Sequence, residues 1–118
     1  MYSRRKFNSL PYMPPEPYAS MVDILTASQY MEYAIHDKTA ATTVDHLNQV
    51  VEWLTHARDY FAKIEAQNMV MRLNKTIKYI EENFIAEVKT PNVDLTKIQG
   101  KMYKFMGVLG KLYLDTKY

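Results

Sequence analysis

The sequence predicts an all-α fold: a small antiparallel helical bundle of three to four helices behind an extended, Pro-rich N-terminal arm. Three observations carry that prediction. No proline falls between Pro17 and Pro91, and no glycine precedes Gly100. The Asn-Gly and Asp-Gly dipeptides that mark β-hairpins are absent. Apolar residues recur every three or four positions instead of alternating. At 118 residues, 47% of them hydrophobic and 24% charged, the chain has the size and composition of one globular domain. The division is an arm over residues 1–18 and a single helical domain over residues 19–118.

The arm reads "MYSRRKFNSLPYMPPEPY". Ser3-Arg4-Arg5-Lys6-Phe7 has the look of a twin-arginine export signal. Such a signal needs an apolar stretch of roughly 7–15 residues next. The polar, proline-broken "NSLPYMPPEP" stands there instead, so no secretory signal peptide is expected. Pro11, Pro14, Pro15 and Pro17 stiffen the segment, which lowers the entropy lost on docking. Arg4, Arg5 and Lys6 suit a negatively charged surface, and Phe7, Tyr12, Met13 and Tyr18 suit burial on a neighbouring subunit.

The first helix is expected from about Tyr18 or Ser20 to His36, with a stripe of Met21, Ile24, Leu25, Ser28, Met31 and Ile35. "DKTAATT" interrupts the pattern, and Thr42 or Thr43 is a suitable N-cap before Val44. From Val44 to Val88 the chain has no breaker, but its apolar phase changes. Leu47, Val51, Leu54 and Phe61 share one direction, while Val70, Leu73, Ile77, Ile80 and Phe84 share another. A break near Glu65–Asn68 resolves the conflict by making a helical hairpin; one long rod touching different partners is the alternative.

Pro91 ends that region, and Asp94 is placed to cap a last helix over Leu95 to Asp115. Its apolar stripe is Leu95, Ile98, Met102, Phe105, Met106, Leu109, Leu112 and Tyr113. Lys97, Lys101, Lys104 and Lys111 lie on the opposite side. Gly100, Gly107 and Gly110 each cost the helix about 1 kcal/mol relative to alanine. Close helix packing, within the bundle or against another subunit, would offset that cost.

Catalytic chemistry finds little support in these residues. The absence of cysteine excludes disulfides and Cys-based zinc sites, which suits a reducing compartment. Glu32/His36 and Glu52/His56 are spaced by four rather than the three of a bundle di-iron motif. They read as surface ion pairs, with Glu52 and His56 facing water. Asp45-His46 has no glycine-flanked serine to serve, and no phosphate-binding glycine loop occurs. No catalytic residue, metal or cofactor is expected.

The charge of +2 is distributed as basic ends around an acidic middle. Ten tyrosines and eight methionines exceed what one small core uses; Tyr2, Tyr103 and Tyr118 fall outside the stripes and suit interfaces. Three functions follow. The first is a non-enzymatic structural subunit of a larger homo-oligomeric assembly, of the kind found in viral or phage particles, with the arm docked on neighbours. The second is a small nucleic-acid-binding accessory protein, its lysine face on phosphates. The third is an inhibitor or adaptor of a host protein. No apolar run reaches the length of a membrane span, so a soluble, cytoplasmic or virion-associated protein is expected.

Overall fold

The computed structural model describes residues 16–116, and these form four helical rods joined by short connections. The arm residues Arg4, Arg5, Lys6, Phe7, Tyr12 and Met13 lie outside the described residues. Helix α1 spans Glu16–His36 and α2 spans Ala40–Lys63. Helix α3 begins as Gln67–Ile80, passes into a π-helical turn at Glu81–Ile85, and finishes as Ala86–Val88. Helix α4 spans Leu95–Asp115. Among the described residues there is no strand, and no helix is long and apolar enough to cross a membrane.

Helix α1 starts earlier than the apolar pattern suggests. Pro17 sits in its first turn, where a missing N–H has no intrahelical partner to lose. Its buried face is Ser20, Asp23, Ile24, Ala27, Met31 and Ala34. Leu25, expected in the stripe, is 49% exposed, while small and polar residues fill the core side.

The cap of α2 also differs from expectation. Thr39, with extended backbone at φ −127° and ψ 153°, is the N-cap, and its side chain accepts from the Thr42 N–H. Thr42 instead occupies the first turn, and Thr43 is buried, donating its hydroxyl to the Thr39 carbonyl at 2.8 Å. Ala40 and Ala41 extend the helix upstream because alanine has the highest helix propensity. On the core side Val50 replaces the expected Val51, which is half-buried.

The break after Lys63 forms without glycine. Glu65 adopts φ 59°, its N–H donates to the Ala62 carbonyl, and the Ala66 N–H donates to the Phe61 carbonyl at 2.9 Å. That pair of bonds is the Schellman arrangement, which satisfies the last carbonyls of α2 and reverses the chain.

Within the π turn the Ala86 N–H reaches back five residues to the Glu81 carbonyl. The wide turn lets the adjacent Phe84 and Ile85 both reach the core, with Ile80 before them and Val88 after. After Pro91, Asp94 caps α4 by accepting from the Lys97 N–H. Ile98, Met102, Leu109 and Leu112 form its buried stripe.

All four rods share one core. Helix α1 packs between α2 and α4, and α3 packs on α2. Side chains link α3 to α4: Tyr79 stacks on Phe105 at 5.1 Å, Phe84 meets the same ring edge-on, and Arg72 pairs with Asp115 at 2.7 Å. Each fully buried aliphatic side chain here contributes about 1.5–3 kcal/mol.

Candidate interaction surface

Two regions outside the core carry polar or exposed chemistry: the seam between α1 and α2, and the outer face of α4.

At the first, two aspartates of α1 and its terminus meet two histidines of α2. His46 Nδ1 lies 2.6 Å from Asp37 Oδ2, and His56 Nδ1 lies 3.3 Å from Asp23 Oδ2. His56 therefore partners Asp23, not the Glu52 expected from helical spacing. Its ring lies toward the α1 seam while remaining more than half exposed. His36 does lie 3.9 Å from Glu32, both strongly exposed. The rings of Tyr30, Tyr33 and His46 group at the upper seam, with Tyr30 edge-on to Tyr33 at 5.7 Å. Farther down, the Trp53 ring lies 5.7 Å from His56, and its Nε1 is buried with no acceptor among the described residues. A small pocket of about 230 Å³ opens beside His56, lined by Ser20, Asp23, Asp59, Tyr60 and Lys63.

The end of α1 is finished by another helix. Gln99 Nε2 of α4 donates to the carbonyls of Ala34 and Asp37, at 2.9 and 2.8 Å. A helix leaves its last carbonyls unsatisfied, and a part-buried end needs such partners. Sequence spacing gave no signal for Gln99 or for the Asp–His pairs, because their partners lie on other elements.

The second region is the outer face of α4. Lys97, Lys101, Lys104 and Lys111 are all exposed, as placed from the sequence. Gly100, Gly107 and Gly110 are exposed too, and beyond its own turn of helix a Cβ built on any of them would meet no atom of the described residues within 4 Å. Of the two packings expected for these glycines, inside the bundle or against another subunit, the first is not found among the described residues. Tyr103 is 69% exposed and Leu114 60% exposed on the same side. A groove of about 400 Å³ separates this face from α1, bordered by Glu32, Ile35, His36, Tyr103, Lys104 and Gly107. Lys97, Lys101 and Lys104 form no ion pair among the described residues, while Lys111 lies 3.7 Å from Asp115. The hydrogen bond from Arg72 holds the Asp115 carboxyl below the usual carboxylate range; partial desolvation opposes it, and Lys111 adds to the lowering.

Among the described residues no group of three or more His, Asp or Glu side chains is placed to hold a metal ion. Comparison of the chain with protein-family models, curated proteins and solved structures gave no match.

Proposed function

We propose that this chain is a non-enzymatic assembly subunit that works by being held to other protein subunits, with its N-terminal arm docking on a neighbouring copy. The observation that carries this reading is the outer face of α4. Glycines that cost helix stability, an aromatic ring and a leucine stand exposed there with nothing over them among the described residues. Exposed tyrosine and leucine beside backbone without Cβ atoms suit contact with another chain better than contact with water.

The bundle is read as antiparallel. Asp37 with His46 and Asp23 with His56 pair α1 and α2 in opposite senses, and Tyr79 with Phe105 and Arg72 with Asp115 do so for α3 and α4. Helix α1 then begins at the end of the bundle where α2 and α4 finish. A second reading, a phosphate-binding surface, is favoured by Lys97, Lys101 and Lys104, which are exposed and without ion pairs among the described residues.

Light scattering tests the assembly reading. Removing residues 1–15, which precede α1, is expected to leave the helical circular dichroism unchanged while lowering the particle mass. A full-length chain of single-copy mass at every concentration would overturn it.

A further inference from the structure

Helix α4 carries lysines at every seventh residue, Lys97, Lys104 and Lys111, along one edge of its exposed seam. The seam itself is Gly100, Tyr103, Gly107, Gly110 and Leu114, spaced three and four apart, the spacing by which a second helix packs along a first. Helix α2 shows a matching row on its own outer face. Asp45, Glu52 and Asp59 also recur every seventh residue, all exposed, among the small or polar Ala41, Asn48 and Ala62. At about 1.5 Å rise per residue, both rows repeat every ~10.5 Å, so three charges of one sign can oppose three of the other. Asp45, Glu52, Lys97 and Lys104 form no ion pair among the described residues. Asp59 accepts from the adjacent Arg58, and Lys111 lies 3.7 Å from Asp115.

These rows do not meet within one molecule, because α1 packs against both α2 and α4 and lies between them. We infer that the α4 face of one copy docks on the α2 face of a second copy of this chain. The inference rests on the assembly reading and names its partner and the two surfaces. Charge selects this pairing over the symmetric one. Two α4 helices packed antiparallel through the glycine seam would set lysine rows against each other, and two α2 faces would oppose acid to acid. The mixed contact opposes the three lysines of the α4 row to the three acids of the α2 row, and the glycines let the α2 backbone approach α4 closely. Since the two surfaces differ, the contact is head-to-tail. It continues from copy to copy until a ring closes or a filament forms.

Charge reversal tests it on the full chain. One variant carries Lys97→Glu, Lys104→Glu and Lys111→Glu; the other carries Asp45→Lys, Glu52→Lys and Asp59→Lys. Each alone is expected to fall toward single-copy mass by light scattering at low salt, with helical circular dichroism retained. An equimolar mixture is expected to regain mass, because each variant then finds the complementary row. Raising the salt from about 0.05 to 0.5 M should lower the wild-type mass through screening. If a triple variant fails to fold, the single pair Lys104→Glu and Glu52→Lys runs the same cycle at smaller amplitude. Wild-type mass in either variant, or a mixture that stays single-copy, overturns the inference. If the variants keep wild-type mass while removal of residues 1–15 lowers it, the assembly reading stands and this contact fails. If the wild type is a single copy throughout, both fail. If the lysine variant loses binding to duplex DNA while the acidic variant keeps wild-type mass, the α4 face serves nucleic acid and the inference is overturned.

Discussion

Gln99 does more for the fold than its place on α4 suggests. One side-chain amide satisfies two carbonyls at the end of α1, joining the start of the last helix to the end of the first. Gln99→Ala removes both hydrogen bonds and leaves part-buried carbonyls without them, a loss of about 1–2 kcal/mol. Urea unfolding should show an earlier midpoint with the slope unchanged. An unchanged midpoint would mean that water replaces the amide at no cost. Histidines show the same limit of sequence reading. The i to i+4 rule located Glu32 and His36 correctly, yet His56 turned to Asp23, thirty-three positions away. Local spacing constrains neighbours on one helix but carries no information on which helix arrives alongside.

At the scale of elements, helix boundaries were legible wherever a specific backbone device ended them. Asp94 caps α4 and Pro91 precedes it, as the sequence indicated, and the change of apolar phase located the turn between α2 and α3. Two devices were hidden. Glu65 takes a left-handed conformation that glycine usually signals, and the π turn at Glu81–Ile85 shifts the phase of α3 within a run that has no unusual residue. The core side of α1 was blurred for another reason: Ala27, Ala34 and Ser20 are small enough to bury between helices, while Leu25 is left outside. The glycines of α4 were read as a cost offset by close packing, inside the bundle or against another subunit, and the first of these is not found among the described residues. Gly107→Ala tests their exposure. A Cβ there enters open space, so the helix gains about 0.5–1 kcal/mol and the melting temperature of the single chain rises. Because the same Cβ would hold a docked helix farther away, particle mass should fall in that variant. A lower melting temperature would contradict an open face.

For the molecule as a whole, ion pairing helps hold α3 to α4. Arg72 and Asp115 meet at 2.7 Å near the ends of these helices remote from the Pro91 connection, with Lys111 alongside. Asp115 has a folded-state pKa below its ordinary value, so the folded state binds its proton less readily than the unfolded chain. The stabilisation is therefore complete above the ordinary aspartate range, near ~3.9, and is lost as pH falls through the lowered value. Thermal unfolding followed between pH 7 and pH 2 should show a shallower acid decline in Asp115→Asn than in the wild type. Parallel declines would place the acid sensitivity elsewhere. The pairing is partly exposed, so its contribution should also shrink with salt.

The chain contains one tryptophan. Trp53 stands where α1 meets α2, with its indole N–H shielded and the His56 imidazole 5.7 Å away. Its fluorescence therefore belongs to that seam. Lifting of α1 from α2 would alter its emission, whereas events on the outer face of α4 leave its immediate surroundings intact. The molecule thus carries an intrinsic optical gauge of the α1–α2 seam, set apart from its lysine row.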